Sequence, residues 1–348
     1  MSNAQIWQTR LLRIHQSSRF FWKICRCVLL KASRLFAFFA RRRVQEYLQG
    51  SKKRYKASVP VISVGNLSVG GTGKTPMVAY LLRKLASKKM VILTRGYKAK
   101  NSGKNDEVLL LEREFPQTRC YVGANRVENC QHAEQTGSVD GFILDDGFQH
   151  LRLQRNLDIV LIDALMPLTL AHTLPAGFLR EPPEALARAD IILVSHANQT
   201  TPEQIQKMKQ WIQQYTSSPI CLAGHELQGW RDLAGQEYPI EAFSDQPILA
   251  CCALGNPESF RKTLEGARVL LKKFFVFPDH YAYTRHDLER IWKHSPKTPL
   301  LTTGKDIVKL RPLWKNGETL IVEALLKLTI LEGESILEQK IQHSGFVS

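Results

Sequence analysis

The N-terminal part of this 348-residue chain lacks a long uninterrupted apolar run. The longest such run in residues 19–43 has six residues, Leu35 to Ala40. A membrane-spanning helix needs about 20 apolar residues, and a signal peptide would not have Lys31 and Arg34 inside its apolar region. The sequence therefore predicts neither a transmembrane span nor a signal peptide here.

Acidic residues are almost absent from the first 60 residues, which contain 14 Lys or Arg and a single acid, Glu46. The whole chain has 48 Lys or Arg and 32 Asp or Glu, so the rest of the chain is close to neutral. A near-neutral body offers no second basic patch for a nucleic acid. Binding of nucleic acid by the arm is a competing interpretation, but we expect no nucleic-acid partner.

Cysteines are few and irregularly placed. There are seven, an odd number, and none forms a C-x-x-C pair. This pattern argues against a disulfide framework and against a structural zinc site, and it is typical of a reducing cytosol.

The basic arm has the pattern of an amphipathic helix. Successive residues turn by roughly 100°, which places six residues on one face: Phe21, Cys25, Val28, Ala32, Leu35 and Phe39. Basic residues occupy the opposite face. Such a helix suits the surface of an anionic membrane; the alternative is a helix packed on the protein's own core with its basic face in solvent. We predict a membrane-associating arm over residues 1–57 that makes the protein peripheral.

Short apolar runs alternate with helical patterns after residue 58. The runs at 59–65, 90–96, 141–147, 157–164 and 189–197 are typical of buried parallel strands. This alternation predicts an α/β fold in which helices cover both faces of a mostly parallel sheet. We predict a nucleotide-binding core over 58–240 and a smaller α/β lobe over 245–348, with the active site in the cleft between them.

The stretch SVGNLSVGGTGKTPMVAY (63–80) predicts a phosphate-binding loop between a strand and a helix. Ser68 replaces the first glycine of the usual pattern, and Pro76 lies in the first helical turn, where a missing N–H is tolerated. The alternative is a glycine-rich turn without a ligand. The predicted nucleotide-binding residues are Gly70, Gly71, Thr72, Gly73, Lys74 and Thr75.

The stretch FILDDGFQH supplies carboxylates for a metal ion. An apolar strand that ends in Asp145 and Asp146 resembles a Walker B motif, which holds Mg²⁺ opposite the loop hydroxyl, here Thr75. Two aspartates after a strand are by themselves often a solvated turn. Beside a phosphate loop, we interpret them as a metal site.

Several motifs together resemble the tetraacyldisaccharide 4′-kinases, the lipid A 4′-kinases of Gram-negative bacteria. They are VGNLSVGGTGKTP, TRGY, DDGFQHLRLQRNLDIVLIDA, LPAGFLREP and FPDHYAYT, which occur in this order from about residue 60 onward. The resemblance implies transfer of phosphate from ATP, with Mg²⁺, to the 4′-hydroxyl of an acylated glucosamine disaccharide. It also implies that the protein acts at the cytoplasmic face of the inner membrane.

The resemblance assigns further roles to single residues. Arg180 matches an arginine of the active site, and Gln149 matches the glutamine that follows the paired aspartates. Asp106 matches an acid that acts with a distant histidine, His280, to activate the acceptor hydroxyl. Glu107 is the alternative base. Composition and spacing alone would not have selected Asp106 or His280.

The chain departs from the family pattern at four places: Lys98 and Ala99 after TRGY, residues 167–172, Asn105 in NDE, and Gly304 in TTGKD. None of these removes a proposed catalytic group.

A membrane-associated ATPase switch with a phosphate loop is the alternative function, and such a switch would turn over nucleotide without an acceptor.

Overall fold

The strands of the described residues form one continuous sheet. The computed structural model describes residues 10–11, 14, 20–96, 106–279, 281–315 and 319–346. Within these ranges the sheet has twelve strands, in the order β10-β9-β11-β12-β7-β6-β5-β1-β4-β2-β3, and β8 pairs with β7 outside that path. All pairs are parallel except β7 with β12 and β7 with β8.

The strand boundaries divide the sheet into two sequential sets. The first set is β1 Val61–Asn66, β2 Met90–Thr94, β3 Arg119–Val122, β4 Gly141–Asp145, β5 Leu157–Asp163, β6 Ile191–Ser195, β7 Ile220–Asp232 and β8 Glu237–Tyr238. The second set is β9 Pro247–Cys252, β10 Leu270–Val276, β11 Leu300–Thr303 and β12 Ile321–Glu332. The two long strands, β7 and β12, pair with each other and join the sets.

Within the described residues, the α-helices of at least seven residues are α1 Phe20–Leu48, α2 Lys74–Lys84, α3 Asp106–Glu114, α4 Arg126–Thr136, α5 Pro202–Gln213, α6 Pro257–Gly266, α7 Arg285–Lys293, α8 Gly304–Leu310 and α9 Glu334–His343. Short 3-10 turns lie at Leu168–Leu170, Pro183–Arg188, Ala197–Gln199, Ile240–Phe243 and Arg311–Leu313.

Helices cover both faces of the sheet. Successive residues of a strand point to opposite faces, so the neighbours of alternate residues on β5 show what covers each face. On β5, Ile159 and Leu161 pack in the same buried cluster as residues of α2. Val160 and Ile162 of the same strand pack with Met208 of α5. The predicted α/β class is confirmed, and each of the five predicted strands is present.

Helix α1 packs on the body through a narrow edge of small residues. Ser33 and Ala37 are buried, and the Ser33 hydroxyl donates a hydrogen bond to the carbonyl oxygen of Thr173 at 2.8 Å. Val28 and Leu35, on the predicted apolar face, are 60% and 59% exposed. The alternative interpretation, in which the helix buries its apolar face on the protein's own core, is therefore wrong for Val28 and Leu35.

The chain end returns to the first half of the sheet. Leu337 and Ile341 of α9, together with Phe346, lie in the buried cluster that contains Ile62 of β1 and Met77 of α2. Two other buried clusters lie along the second set of strands, one around Ile248 together with Trp230 of β7 and one around Leu249. The domain boundaries at 58–240 and 245–348 stay a prediction.

No helix in the described ranges has both the length and the apolar character needed to cross a membrane.

Candidate active site

The phosphate loop connects the end of β1 to the start of α2. Gly70 and Gly73 have backbone φ angles of 116° and 84°, a region that residues with a Cβ rarely adopt. Gly73 directly precedes α2, so the loop ends at a helix N-terminus, where backbone N–H groups are free to bind an anion. Pro76 lies in the first turn of that helix, as predicted.

Ser68 fits the entrance of the loop because the backbone there is extended. It forms an isolated antiparallel bridge with Leu179, and its carbonyl oxygen accepts a hydrogen bond from the side-chain amide of Asn66 at 2.6 Å. The neighbouring Val69 N–H donates to the carbonyl oxygen of Phe178 at 2.8 Å. A positive φ is not needed at Ser68, so the missing glycine does not disrupt the loop.

The paired aspartates lie beside the loop because β4 runs parallel to β1, with Asp145 opposite Val64. Asp145 is buried, and its Oδ2 accepts a hydrogen bond from the Thr94 hydroxyl at 3.0 Å. Its Oδ1 is buried and has no hydrogen-bond partner among the described atoms. Burial, with a contribution from the negative charge of Glu107, raises the pKa of Asp145 to about 7.

Asp146 lies between two cations. Its Oδ1 is 3.4 Å from Nζ of Lys74, and Nη1 of Arg180 lies 2.8 and 2.9 Å from its two carboxylate oxygens. Although burial alone would raise it, the charges of Lys74 and Arg180 hold the pKa of Asp146 below its usual range. Three of the predicted site residues are thus in direct contact.

Gln149 contacts the end of β1 and not the aspartates in the hydrogen bonds that the structure shows. Its side-chain amide donates to the backbone carbonyl oxygen of Asn66 at 3.1 Å. The backbone carbonyl oxygen of Gln149 accepts a hydrogen bond from Nη2 of Arg43 at 3.4 Å. Gln149 and Arg180 line a groove of about 230 Å³ whose other wall is α1, including Phe36 and Phe39. This groove, which we call the α1 groove, connects the exposed helix with the arginine of the site.

Asp106 and Glu107 begin α3 and pair with two lysines of helix α8. Lys309 Nζ lies 2.7 Å from Oδ2 of Asp106, and Lys305 Nζ lies 2.8 Å from Oε1 of Glu107. Burial alone would lower the pKa of Lys305, but Glu107 and the nearby acids Asp279 and Asp106 raise it. Both predicted bases are therefore paired with lysines of α8.

His280 lies outside the described residues, so its distance from Asp106 stays a prediction. The preceding residue, Asp279, is close to the phosphate loop. A Cβ placed on Gly255 would be 3.5 Å from Oδ2 of Asp279 and 3.6 Å from the backbone nitrogen of Gly71. The segment before His280 therefore borders the same space as the loop.

A family model described as Tetraacyldisaccharide-1-P 4'-kinase (LpxK) matches residues 25–344 of the chain. The chain belongs to this family. It is 34% identical over 320 residues to a tetraacyldisaccharide 4'-kinase of Geobacter metallireducens, covering 85% of this chain and 92% of that protein. A relative of the same name from Halothermothrix orenii is 34% identical over 284 residues, 72% of this chain and 73% of the relative.

A solved structure supports both fold and family. The chain is similar to the LpxK of Aquifex aeolicus, crystallised in complex with ATP, with a TM-score of 0.74 and 31% sequence identity. The match covers 92% of this chain and all of that chain. This protein is therefore a kinase of the tetraacyldisaccharide 4'-kinase family with a nucleotide-binding fold of the phosphate-loop class.

One departure of this family member has a structural counterpart. Gly304 stands where the family pattern has an acid, and a Cβ placed on it would lie 3.2 Å from Oε2 of Glu323. Glu323 is buried and pairs with Arg113 at 2.6 Å and Arg231 at 2.8 Å. A carboxylate from β12 thus occupies the space beside the missing acid.

Three residues that contact the predicted site residues were not singled out from the sequence: Thr94, Lys305 and Lys309. Thr94 ends β2 within the quoted TRGY motif, Lys305 lies in the quoted TTGKD motif, and Lys309 follows four residues later. Two of the three thus lie inside quoted motifs, and the spacing of four residues places both lysines on one face of α8. What was missing was their distance to Asp145, Asp106 and Glu107, which depends on long-range packing.

Proposed function

We propose that the chain transfers the terminal phosphoryl group of ATP to the 4′-hydroxyl of a tetraacylated glucosamine disaccharide 1-phosphate. The reaction takes place at the surface of an anionic membrane, at the cytoplasmic face of the inner membrane. The observation that carries the proposal is the convergence of Lys74, Asp146 and Arg180 beside a left-handed glycine turn.

The phosphate end of the nucleotide fits the loop. Gly70 and Gly73 have left-handed φ angles, and α2 begins directly after Gly73. A glycine-rich turn at a helix N-terminus suits phosphate oxygens, because its backbone N–H groups can bind them. Lys74 and Arg180 are each positioned to neutralise negative charge, and both now share the carboxylate of Asp146. In the reaction, Lys74 binds the nucleotide phosphates and Arg180 stabilises charge on the transferring group.

The residues present fit a magnesium ion. Oδ1 of Asp145 is buried without a described hydrogen-bond partner, and a buried carboxylate in that state is stabilised by a cation. Thr75 supplies a hydroxyl, and Asp145 and Asp146 supply carboxylates, which are the oxygen ligands that Mg²⁺ takes. The bound ion would neutralise charge on the phosphates.

The hydroxyl of a sugar must lose a proton as the new P–O bond forms. Asp106 is the proposed acceptor of that proton, because its carboxylate is oriented by Nζ of Lys309 at 2.7 Å. His280 is proposed to hold or relay the proton. Glu107, held by Lys305, is the alternative base.

The acceptor reaches this site along the α1 groove. Four large apolar side chains of α1, Val28, Leu35, Phe38 and Phe39, are at least 56% exposed. Arg41 and Arg42 are exposed close to them. Apolar side chains that enter the acyl region and cations that meet acidic headgroups suit a membrane surface.

Incubation of the full-length protein with ATP, Mg²⁺ and the lipid disaccharide 1-phosphate, followed by mass spectrometry, tests the proposal. The expected product carries one added phosphoryl group. A 4′-deoxy disaccharide is the matched control and should remain unmodified. An unchanged lipid, or equal modification of the 4′-deoxy analogue, would contradict the assignment of the acceptor.

A further inference from the structure

Glu323 of β12 is a buried carboxylate that binds two arginines from different elements. Its Oε1 accepts a hydrogen bond from Nε of Arg231 at 2.8 Å, and its Oε2 accepts one from Nη2 of Arg113 at 2.6 Å. Arg231 lies directly opposite Glu323 in the pairing of β7 with β12, whereas Arg113 belongs to α3. The carboxylate therefore attaches α3 to the strand pair that joins the two sets of strands.

The contacts of α3 with α8 and β12 lie on one face of α3. Asp106, Leu110 and Arg113 are four and three residues apart, which places them on the same side of a helix. Asp106 pairs with Lys309 near the end of α8 at 2.7 Å. A Cβ placed on Gly304, at the start of α8, would lie 3.4 Å from Cδ1 of Leu110. Arg113 continues this row to the carboxylate of β12, so the helix that carries the proposed base is held in both of its turns.

The glycine at position 304 leaves room for this arrangement. A Cβ there would be 3.2 Å from Oε2 of Glu323, closer than an ordinary van der Waals contact. An acid at 304, as in the family pattern, would bring a second carboxylate into the space that Glu323 already occupies, where like charges repel. In this chain one carboxylate, supplied by β12, fills that space.

We propose that Glu323 is a positioning residue for the proposed base, and that it takes the place of the acid that the family pattern has at 304. Through Arg113 it fixes α3 and thereby Asp106, which lies seven residues or about 10 Å away along the helix. A displacement of about 1 Å at a catalytic group can cost up to ~10²-fold in rate. The inference rests on the proposed function, because Asp106 acts as a base only if the acceptor is a hydroxyl.

Arg113→Met tests the attachment of α3 without leaving Glu323 unpaired, since Arg231 still binds that carboxylate. With saturating ATP and lipid disaccharide 1-phosphate, we expect kcat to fall roughly tenfold. The Kd for the Mg²⁺ complex of ATP, measured by calorimetry, should stay at the wild-type value. Arg83→Met is the matched control, because it breaks the ion pair of α2 with Glu114 at the same end of α3. It should leave kcat near wild type.

The background variant Asp106→Ala separates positioning from a general loss of structure. If Arg113 acts through Asp106, adding Arg113→Met to Asp106→Ala should leave the residual kcat unchanged. An unchanged kcat in Arg113→Met alone would overturn the proposal. A further tenfold loss in the Asp106→Ala background would also overturn it, because the effect of Arg113 would then be independent of the base.

Moving the carboxylate tests the exchange with position 304. Glu323→Gln should lower kcat at least ~10-fold, because Arg113 and Arg231 then face an uncharged amide. Glu323→Gln combined with Gly304→Glu should recover most of that loss, and Glu323→Gln combined with Gly304→Gln, of nearly the same size but without charge, should not. Equal kcat values for the two combined variants would overturn the role of the carboxylate at this place.

Failure of the proposed function would show separately, as a folded wild-type protein that does not phosphorylate the lipid disaccharide. The attachment of α3 can be measured without activity by amide hydrogen exchange in residues 107–113. Faster exchange there in Arg113→Met than in Arg83→Met would support the proposal, and equal exchange in the two variants would contradict it.

Discussion

At the scale of single residues, Asp146 joins the charged groups of the site. It has a backbone φ of 53°, and its carboxylate contacts both Lys74 and Arg180. Aspartate tolerates this left-handed conformation better than most residues with a Cβ. The two cations are thus already gathered around one carboxylate, and phosphate oxygens can share them without a large rearrangement of the protein.

Asp145 makes the stability of the protein depend on pH. The raised pKa of this buried carboxyl, about 7, means that ionisation opposes folding. Its stabilising contribution is present below its ordinary pKa of about 4 and is lost as the pH rises through about 7. In EDTA, the Tm of Asp145→Asn should therefore be at least ~2 °C above that of wild type at pH 8, and the difference should be smaller at pH 4.5.

Asp245→Asn is the control for this comparison, because Asp245 is exposed and pairs only at the surface with Arg268. It should show no pH-dependent difference in Tm. An Asp145→Asn variant that is less stable than wild type at pH 8 would show that the charged form of Asp145 is stabilised by the fold.

At the scale of elements, the strand that carries each motif could be predicted, but the face of α1 that contacts the body could not. The 3.6-residue period placed Val28, Leu35 and Phe39 together, and these residues are indeed on one exposed face. Ser33 and Ala37 form the buried edge instead, because small side chains let the helix approach residue Thr173 closely. Small residues carry little hydrophobic signal in a sequence.

The exposed face of α1 should bind anionic membranes. Leu35 and Phe38 are 59% and 56% exposed and lie outside the α1 groove, so they can be changed without altering its lining. The double variant Leu35→Asp with Phe38→Asp should reduce binding to anionic vesicles at least ~10-fold in sedimentation, because aspartate opposes both insertion and headgroup attraction.

Leu48→Asp, at the far end of the same helix and 60% exposed, is the matched control and should have a smaller effect. The double variant should keep its Tm within ~2 °C of wild type, since neither side chain is buried. Full vesicle binding by a folded double variant would show that another surface makes the membrane contact.

The ion pair between Lys309 of α8 and Asp106 of α3 should hold the proposed base in position. Lys309→Met removes the cation 2.7 Å from Asp106 and should lower kcat roughly tenfold, while KM for ATP stays near wild type. Lys309→Arg should restore most of the activity. Lys209→Met, which breaks a surface pair with Glu332, is the control. A Lys309→Met variant with unchanged kcat would separate this ion pair from catalysis.

At the scale of the whole molecule, the sequence indicated two units but not how they are joined. The five strands predicted from the sequence do not include residues 220–232, yet these residues form β7, which pairs antiparallel with β12. Polar residues such as Glu226 are compatible with a strand that is exposed along part of its length. Pairing across about 100 residues of chain leaves no local pattern, so the sheet's continuity required the structure.

Asp106 and His280 should act together across the two sets of strands. If they form one catalytic unit, Asp106→Ala and His280→Ala should each lower kcat at least ~10²-fold, and the double variant should be little worse than either. Single-turnover kinetics with the lipid acceptor measure these losses. Fully multiplicative losses would indicate independent roles and would make Glu107→Gln the next variant to measure.

The central claim is that this site transfers phosphate to a lipid acceptor and does not simply hydrolyse ATP. The most direct measurement is the ratio of ADP released to phosphate found on the lipid, with and without the disaccharide, for wild type and Lys74→Ala. The account predicts a ratio of about one for wild type, little ADP without acceptor, and a loss of at least ~10²-fold in Lys74→Ala. Rapid ADP release without acceptor and with no phosphate on the lipid would contradict it and would favour an ATPase switch.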